Sequence, residues 1–214
     1  MEALKDSLKF RQWKGEMEKH GNVLHNVEDL HTVRKRNGEV LFSMIKMQAD
    51  SPEGNPLLPI ALLRGHFVAV LVALIEEETG QEYHLLVRQR RVATGALFFE
   101  HPAGMCDSET DPWAIALIEV EEETSLKVTR EDLTLLTPQP LYSSPGLLDE
   151  GGYFFCCRLT MPAAEIQALH EKEAGTAGEY IHTFIATPEE SRHLIKAANG
   201  VLLYFLYQEW LGKQ

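Results

Sequence analysis

The side chains best arranged for chemistry are the carboxylates of the stretch HPAGMCDSETDPWAIALIEVEEETSL, residues 101–126. Pro112 suits the first turn of a helix, and Trp113, Leu117 and Val120 share one apolar face, so a helix is predicted over 112–124. At about 100° per residue, Glu119, Glu122 and Glu123 then fall on one stripe and Glu121 points away. Like charges at that spacing repel, and a divalent cation turns the repulsion into a binding site. Oxygen ligands select a hard ion, Mg²⁺ or Mn²⁺, which commonly bridges protein carboxylates and substrate phosphates. A solvated acidic helix face is the competing explanation for EVEEE taken alone.

What precedes the helix separates these readings. The signature of the Nudix family is Gly, five residues, Glu, seven residues, then Arg-Glu-hydrophobic-x-Glu-Glu-x-Gly-hydrophobic. Counted from Gly104, this sequence resembles it with Glu119, Val120, Glu122, Glu123 and Leu126 in register. The resemblance implies metal held by Glu119, Glu122 and Glu123 and by the backbone carbonyl of Ala103 in HPAG. Three positions depart: Thr110 stands for the first Glu, Ile118 for the Arg that braces the carboxylates, and Ser125 for the Gly. Ser125 at a helix end either avoids the left-handed conformation or adopts it at a cost of roughly 1 kcal/mol.

Beyond that box, VRQRRVATG with FFEHPAGM, then LYSSPGLLDE and AGEYIHTFIA, resemble the plant-type ADP-sugar and ADP-ribose diphosphatases of the same family. The likeness implies substrate contacts from Arg91, Glu100 and Glu150. It makes Glu179 the first candidate for the base that activates water, with Glu122 and Glu123 next. Arg91 suits phosphate because a guanidinium presents a rigid fork of donors. The implied activity is Mg²⁺-dependent hydrolysis of a nucleotide-sugar diphosphate to a nucleoside monophosphate and a sugar phosphate. A non-catalytic Nudix-fold binding module, or an enzyme for another nucleoside diphosphate derivative, remains open at this point.

The elements that must position these groups are readable from pattern. FVAVLVALI (67–75) and EYHLLVRQRRV (82–92) read as strands joined at Gly80, and ALFFEHPAG adds a short strand ending at Pro102. Further strands are expected at 40–49, 133–142, 152–160 and 180–186. Helices are expected at 162–172 and at 188–211, the latter divided at Asn199-Gly200. Residues 4–19 space Leu4, Leu8, Trp13 and Met17 as an amphipathic helix, residues 22–29 read as a linker, and the proline-rich 51–59 closes the arm. The fold class is therefore α/β: a Nudix α/β/α sandwich with a mixed sheet over 60–214, preceded by a helical and strand arm over 1–59.

Composition excludes several classes. The formal net charge is -12 with no Lys/Arg block, which argues against nucleic acid as partner; the resemblance implies a small nucleotide-sugar substrate instead. The longest apolar stretches are too short to span a bilayer, so no membrane role is expected. Cys106, Cys156 and Cys157 lack metal-ligand spacing, and MEALKDSLKF has no signal-peptide core, so a reduced, cytoplasmic protein is expected. The apolar stripe of the arm is expected to pack on the domain or on a second subunit, and the resemblance implies a homodimer.

Overall fold

A computed structural model describes residues 3–107, 111–175 and 180–214. In chain order the helices and strands are α1 (Leu8–Lys19), β1 (Val23–Arg34), β2 (Val40–Asp50), β3 (Ile60–Leu63), β4 (Phe67–Glu76), β5 (Glu82–Arg90), β6 (Leu97–Glu100) and β7 (Ala103–Met105). There follow α2 (Pro112–Thr124), β8 (Leu133–Leu135), β9 (Leu141–Tyr142), β10 (Gly151–Met161), α3 (Ala163–Ala168), β11 (Glu173–Ala174), β12 (Ile181–Ala186), α4 (Pro188–Leu194) and α5 (Ala198–Leu211). Among the described residues no helix is long and apolar enough to cross a membrane. The chain divides into two compact units, one of Met1–His66, Met105–Thr110 and Leu141–Gly151, the other of Phe67–Gly104, Asp111–Pro140 and Gly152–Gln214.

The first unit is an antiparallel sheet in the order β1-β2-β3 with α1 on one face. Ser7 caps α1 by accepting a hydrogen bond from the Phe10 N–H. Leu4, Phe10 and Trp13 bury against Val40, Ile45 and Leu63, with Met17 partly covered. Each such side chain stabilises the fold by about 1.5–3 kcal/mol through lost apolar surface. Most of the expected stripe is thus consumed inside its own unit, while Leu8 is only half-buried. The segment expected as a linker, 22–29, is the start of β1, paired from Val23 with Asp50 through Arg34 with Val40. An edge strand needs burial on neither its outer edge nor its open face, so HNVEDLH can be polar and still carry a full ladder.

The second unit is built on a mixed sheet in the order β11-β12-β5-β4-β10-β8, with β6 beside β5 and β7 beside β4. β4 runs parallel to β10 and antiparallel to β5. Eight consecutive buried residues in β4, Phe67 to Leu74, show a central strand covered on both faces. Register assigns the faces. Phe155 lies opposite Val70 and Val72 opposite Leu85, and Trp113 of α2 meets the Phe155 ring edge-on. His84, of the other parity, meets Tyr204 and Tyr207 of α5 and bonds Ser191 of α4. Helices on both faces of a mixed sheet make the α/β/α sandwich expected from the sequence.

Three boundaries moved, the helix expected over 162–172 being the shorter α3. The strand expected over 133–142 is two short pieces, β8 and β9. The break in the last helical region falls at Ile195–Ala197, because Ile195 bridges Phe99 and ends α4, which a Thr187–Glu190 capping box began. Asn199-Gly200 lies instead in the first turn of α5, where Gly200 packs so close to Ile195 that a Cβ would fall 2.7 Å from its Cγ2.

Candidate active site

Helix α2 starts where a carboxylate and a proline make it start. Asp111 accepts from the Trp113 N–H at 3.1 Å and Pro112 supplies the first-turn φ. Ile115, Ala116, Val120 and Thr124 are buried, which fixes the helix rotation and so the direction of its glutamates. Arg130 lies over the Trp113 ring at 4.4 Å and 3.5 Å from Asp111, tying down the same end. The helix ends at Ser125 with φ 62°, in the left-handed region, its N–H donating to the Glu121 carbonyl. Ser125 therefore adopts the costly conformation. Ser125→Gly is expected to raise the unfolding free energy by about 1 kcal/mol, read from the urea midpoint, without altering activity.

Two of the three stripe glutamates reach β7. The Ala103 N–H donates to Glu123 Oε2 at 3.0 Å, and Glu123 is buried. A Cβ built on Gly104 would fall on the Glu119 carboxylate, so only glycine leaves that carboxylate its place. Glu122 is exposed, and its backbone carbonyl accepts the Gly175 N–H at 3.0 Å. The structure thus brings Ala103, Glu119 and Glu123 together and keeps Glu122 on the same helix. All these donors are oxygens, which fits a hard divalent cation. Among the described residues no three His, Cys, Asp or Glu side chains form a closed metal cluster. A hard ion that retains waters and takes substrate oxygens needs only one or two protein carboxylates at close range.

Strand β7 meets the glutamate face, and β6 leads into it. Glu100 ends β6 and pairs with Arg91 at 2.7 Å, so two of the expected substrate residues form one ion pair. His101 is buried, and neither ring nitrogen completes a hydrogen bond of ordinary geometry. Burial pushes its pKa down to about 3, helped by the nearby His84 and weakly opposed by the Gly200 backbone. It stands as a neutral packing residue, with Pro102 held by the bond from the Val70 N–H to its carbonyl at 2.9 Å.

Glu150 belongs to the first unit, where it accepts from Ser143 Oγ at 3.1 Å and pairs with Arg64 at 3.1 Å. Glu179 and Thr110 lie outside the described residues. Ile118, in the place of the family arginine, is 45% exposed. Cys106, Cys156 and Cys157 are buried, and burial pushes the thiols of the last two up to about 12, so these two are no nucleophiles at neutral pH.

Sequence reasoning missed a buried cluster around Asp107, three residues after Gly104. Lys9 of α1 is 2% exposed and donates to the carbonyls of Leu41 at 2.9 Å and Arg64 at 2.6 Å. It also pairs with Asp107 at 2.6 Å, and Lys35 pairs with the other carboxylate oxygen. The Cys106 N–H donates to the His66 carbonyl at 2.9 Å beside it. One signal was available: Lys9 is four residues before Trp13, on the side of the helix that buries.

A helix-borne carboxylate face set against Ala103 and Gly104 of β7, on an α/β/α sandwich with a mixed sheet, gathers oxygen donors of the kind that suit a hard cation. The chain belongs to the Nudix family: the NUDIX domain model matches residues 65–193. It is 32% identical over 195 residues to Nudix hydrolase 14, chloroplastic, of Arabidopsis thaliana, covering 82% of this chain and 62% of that protein. It is 31% identical over 113 residues to an ADP-ribose pyrophosphatase of Bacillus subtilis, covering 53% of this chain and 56% of the relative. The chain thus spans somewhat over half the length of these curated relatives. A crystal structure of an ADP compounds hydrolase shares the fold with a TM-score of 0.63 at 20% identity, covering 90% of this chain and 95% of that one. Nudix hydrolases generally use divalent metal ions.

Proposed function

We propose that this protein is a Mg²⁺-dependent Nudix hydrolase, with Mn²⁺ as a substitute, that cleaves the diphosphate of a nucleotide-sugar of the ADP-ribose or ADP-glucose kind. The products are a nucleoside monophosphate and a sugar phosphate. The observation that carries this reading is the convergence of Glu119 and Glu123 on Ala103 and Gly104 of β7. The activity named for the Bacillus relative, an ADP-ribose pyrophosphatase, supports the substrate class.

The ion would be held by Glu119, Glu122 and Glu123 with the Ala103 carbonyl. When bound it supplies positive charge against the diphosphate oxygens and acidifies a neighbouring water. Arg91, held at Nε by Glu100, offers its terminal nitrogens to a phosphate, and the family resemblance alone makes Glu150 a substrate contact. Glu179 is the first choice to take the proton of the attacking water, with Glu122 and Glu123 as alternatives. The small soluble substrate is the partner we propose, in the cytoplasm, with the protein acting as a homodimer.

The test is a panel with Mg²⁺ or Mn²⁺: ADP-ribose, ADP-glucose, UDP-glucose, GDP-mannose, nucleoside triphosphates and dinucleotide polyphosphates. Monophosphate is expected to be released preferentially from a nucleotide-sugar. The exposed Ile118 in the bracing position gives a second reading, a module that binds nucleotide without cutting it. Tight binding of a panel member with no cleavage of any would replace the enzyme reading by that one.

A further inference from the structure

His101 and Pro102 join β6 to β7 and carry the chain from beside β5 to beside β4. They deliver Ala103, and the connector is held from both faces of the sheet. On the α2 face Glu123 accepts the Ala103 N–H at 3.0 Å and the Glu119 carboxylate lies against Gly104. Within the sheet the Val70 N–H donates to the Pro102 carbonyl at 2.9 Å. On the α5 face the connector presents the His101 ring, 2% exposed and centred 6.3 Å from the ring of His84, which itself meets Tyr204 and Tyr207. A Cβ on Gly200 would fall 3.8 Å from His101 Cδ2 and 2.7 Å from Ile195 Cγ2, so the first turn of α5 lies against the ring. Ile195 also bridges Phe99, so the α4–α5 junction meets this stretch at two points.

The His101 nitrogens complete no hydrogen bond of ordinary geometry among the described residues. A polar group buried in that state destabilises rather than holds a structure. The ring therefore acts here by its shape. Packed interiors contain few voids and transmit displacement, so deleting the ring lets the connector settle toward α5. Ala103 would move with it, away from the carboxylates on the opposite face.

We propose that His101 is a positioning residue: wedged between the first turn of α5 and the β6–β7 connector, it sets the place of the Ala103 carbonyl relative to Glu119 and Glu123. Its effect on the ion rests on the reading of this protein as a metal-dependent hydrolase, whereas its effect on the connector does not. Contacts that orient a metal ligand without touching the metal typically govern affinity by about 10–100-fold.

The test makes two measurements on the full chain. One is hydrogen exchange of the Ala103 amide in metal-free protein, taken relative to Val72 in the middle of β4 so that global unfolding cancels. The other is Mn²⁺ affinity without substrate, from water-proton relaxation. His101→Ala is expected to speed the relative exchange and to weaken Mn²⁺, each by about tenfold or more. His101→Leu fills a similar volume without the nitrogens and is expected to stay within about threefold of the parent in both. Ile166→Ala opens a cavity under α3, which follows Met161 where β10 pairs with the Glu76 end of β4, and is expected to lower stability while moving neither readout. If His101→Ala does not fold, Gly200→Ala, whose methyl crowds Ile195, is expected to shift both readouts in the same sense. Absence of either shift overturns the proposal, as does a His101→Leu that behaves like His101→Ala or an Ile166→Ala that shifts both equally. A parent that binds no Mn²⁺ would sink the metal-dependent reading instead, and the exchange measurement would still decide what His101 does.

Discussion

Lys9→Met is expected to lower the unfolding free energy of the first unit by about 3–5 kcal/mol, the cost of removing one partner from a buried ion pair. The substitution keeps the length and apolar stem of the side chain, so the loss isolates the ammonium. Three acceptors lose their donor at once: the Leu41 and Arg64 carbonyls and Asp107. Lys35 still neutralises Asp107, which holds the loss toward the lower end. Urea denaturation at neutral pH measures it. A double cycle with Asp107→Asn is expected to show that the two losses do not add, because each substitution removes the same contact. A Lys9→Met variant as stable as the parent would mean that the buried lysine is dispensable.

Acid should act on the same cluster. Burial pushes the Asp107 carboxyl up, but hydrogen bonds from Lys35 and Lys9 and their charges outweigh it and hold the pKa below the ordinary 3.8. A carboxylate depressed in the folded state contributes stability that is fully present above its unfolded value and is lost as pH falls through the folded one. The difference in stability between parent and Lys9→Met is therefore expected to persist from neutral pH down to about 4 and to shrink below that.

How much of this was legible depends on where the information sits in the chain. Helix α2 was readable because Pro112, the apolar face through Val120 and the three stripe glutamates are all local, and the register from Gly104 carried Ala103 with them. The central strands 67–75 and 82–92 were readable because burial on both faces leaves near-continuous apolar runs. β1 was not, since an edge strand is specified by its partner β2 rather than by its own pattern. The Lys9–Asp107 contact spans most of a hundred residues of sequence, and a lysine among Lys, Arg and Glu on an amphipathic helix reads as solvent-facing until its neighbours are known. The pairing of Arg91 with Glu100 is likewise a property of β5 lying beside β6, although each residue was marked separately.

Glu123→Gln and Glu122→Gln are expected to lower metal-dependent turnover by at least about 100-fold each while leaving the protein folded. The two differ in what else they touch. The Glu123 side chain is buried and accepts the Ala103 N–H, and a glutamine carbonyl can keep that bond, so the loss reports the missing charge rather than a displaced β7. Glu122 is exposed and anchors Gly175 only through its backbone, which the substitution leaves in place. In both variants the metal concentration giving half-maximal rate should rise, and unfolding midpoints should stay near the parent value. Glu179→Gln separates ligation from proton transfer. If Glu179 is the base, kcat falls by a comparable factor with the half-saturating metal concentration unchanged, and the acidic limb of the pH–rate profile is lost. Unchanged turnover in both Glu122→Gln and Glu123→Gln would reduce the stripe on α2 to an acidic surface and remove the metal from the proposed chemistry.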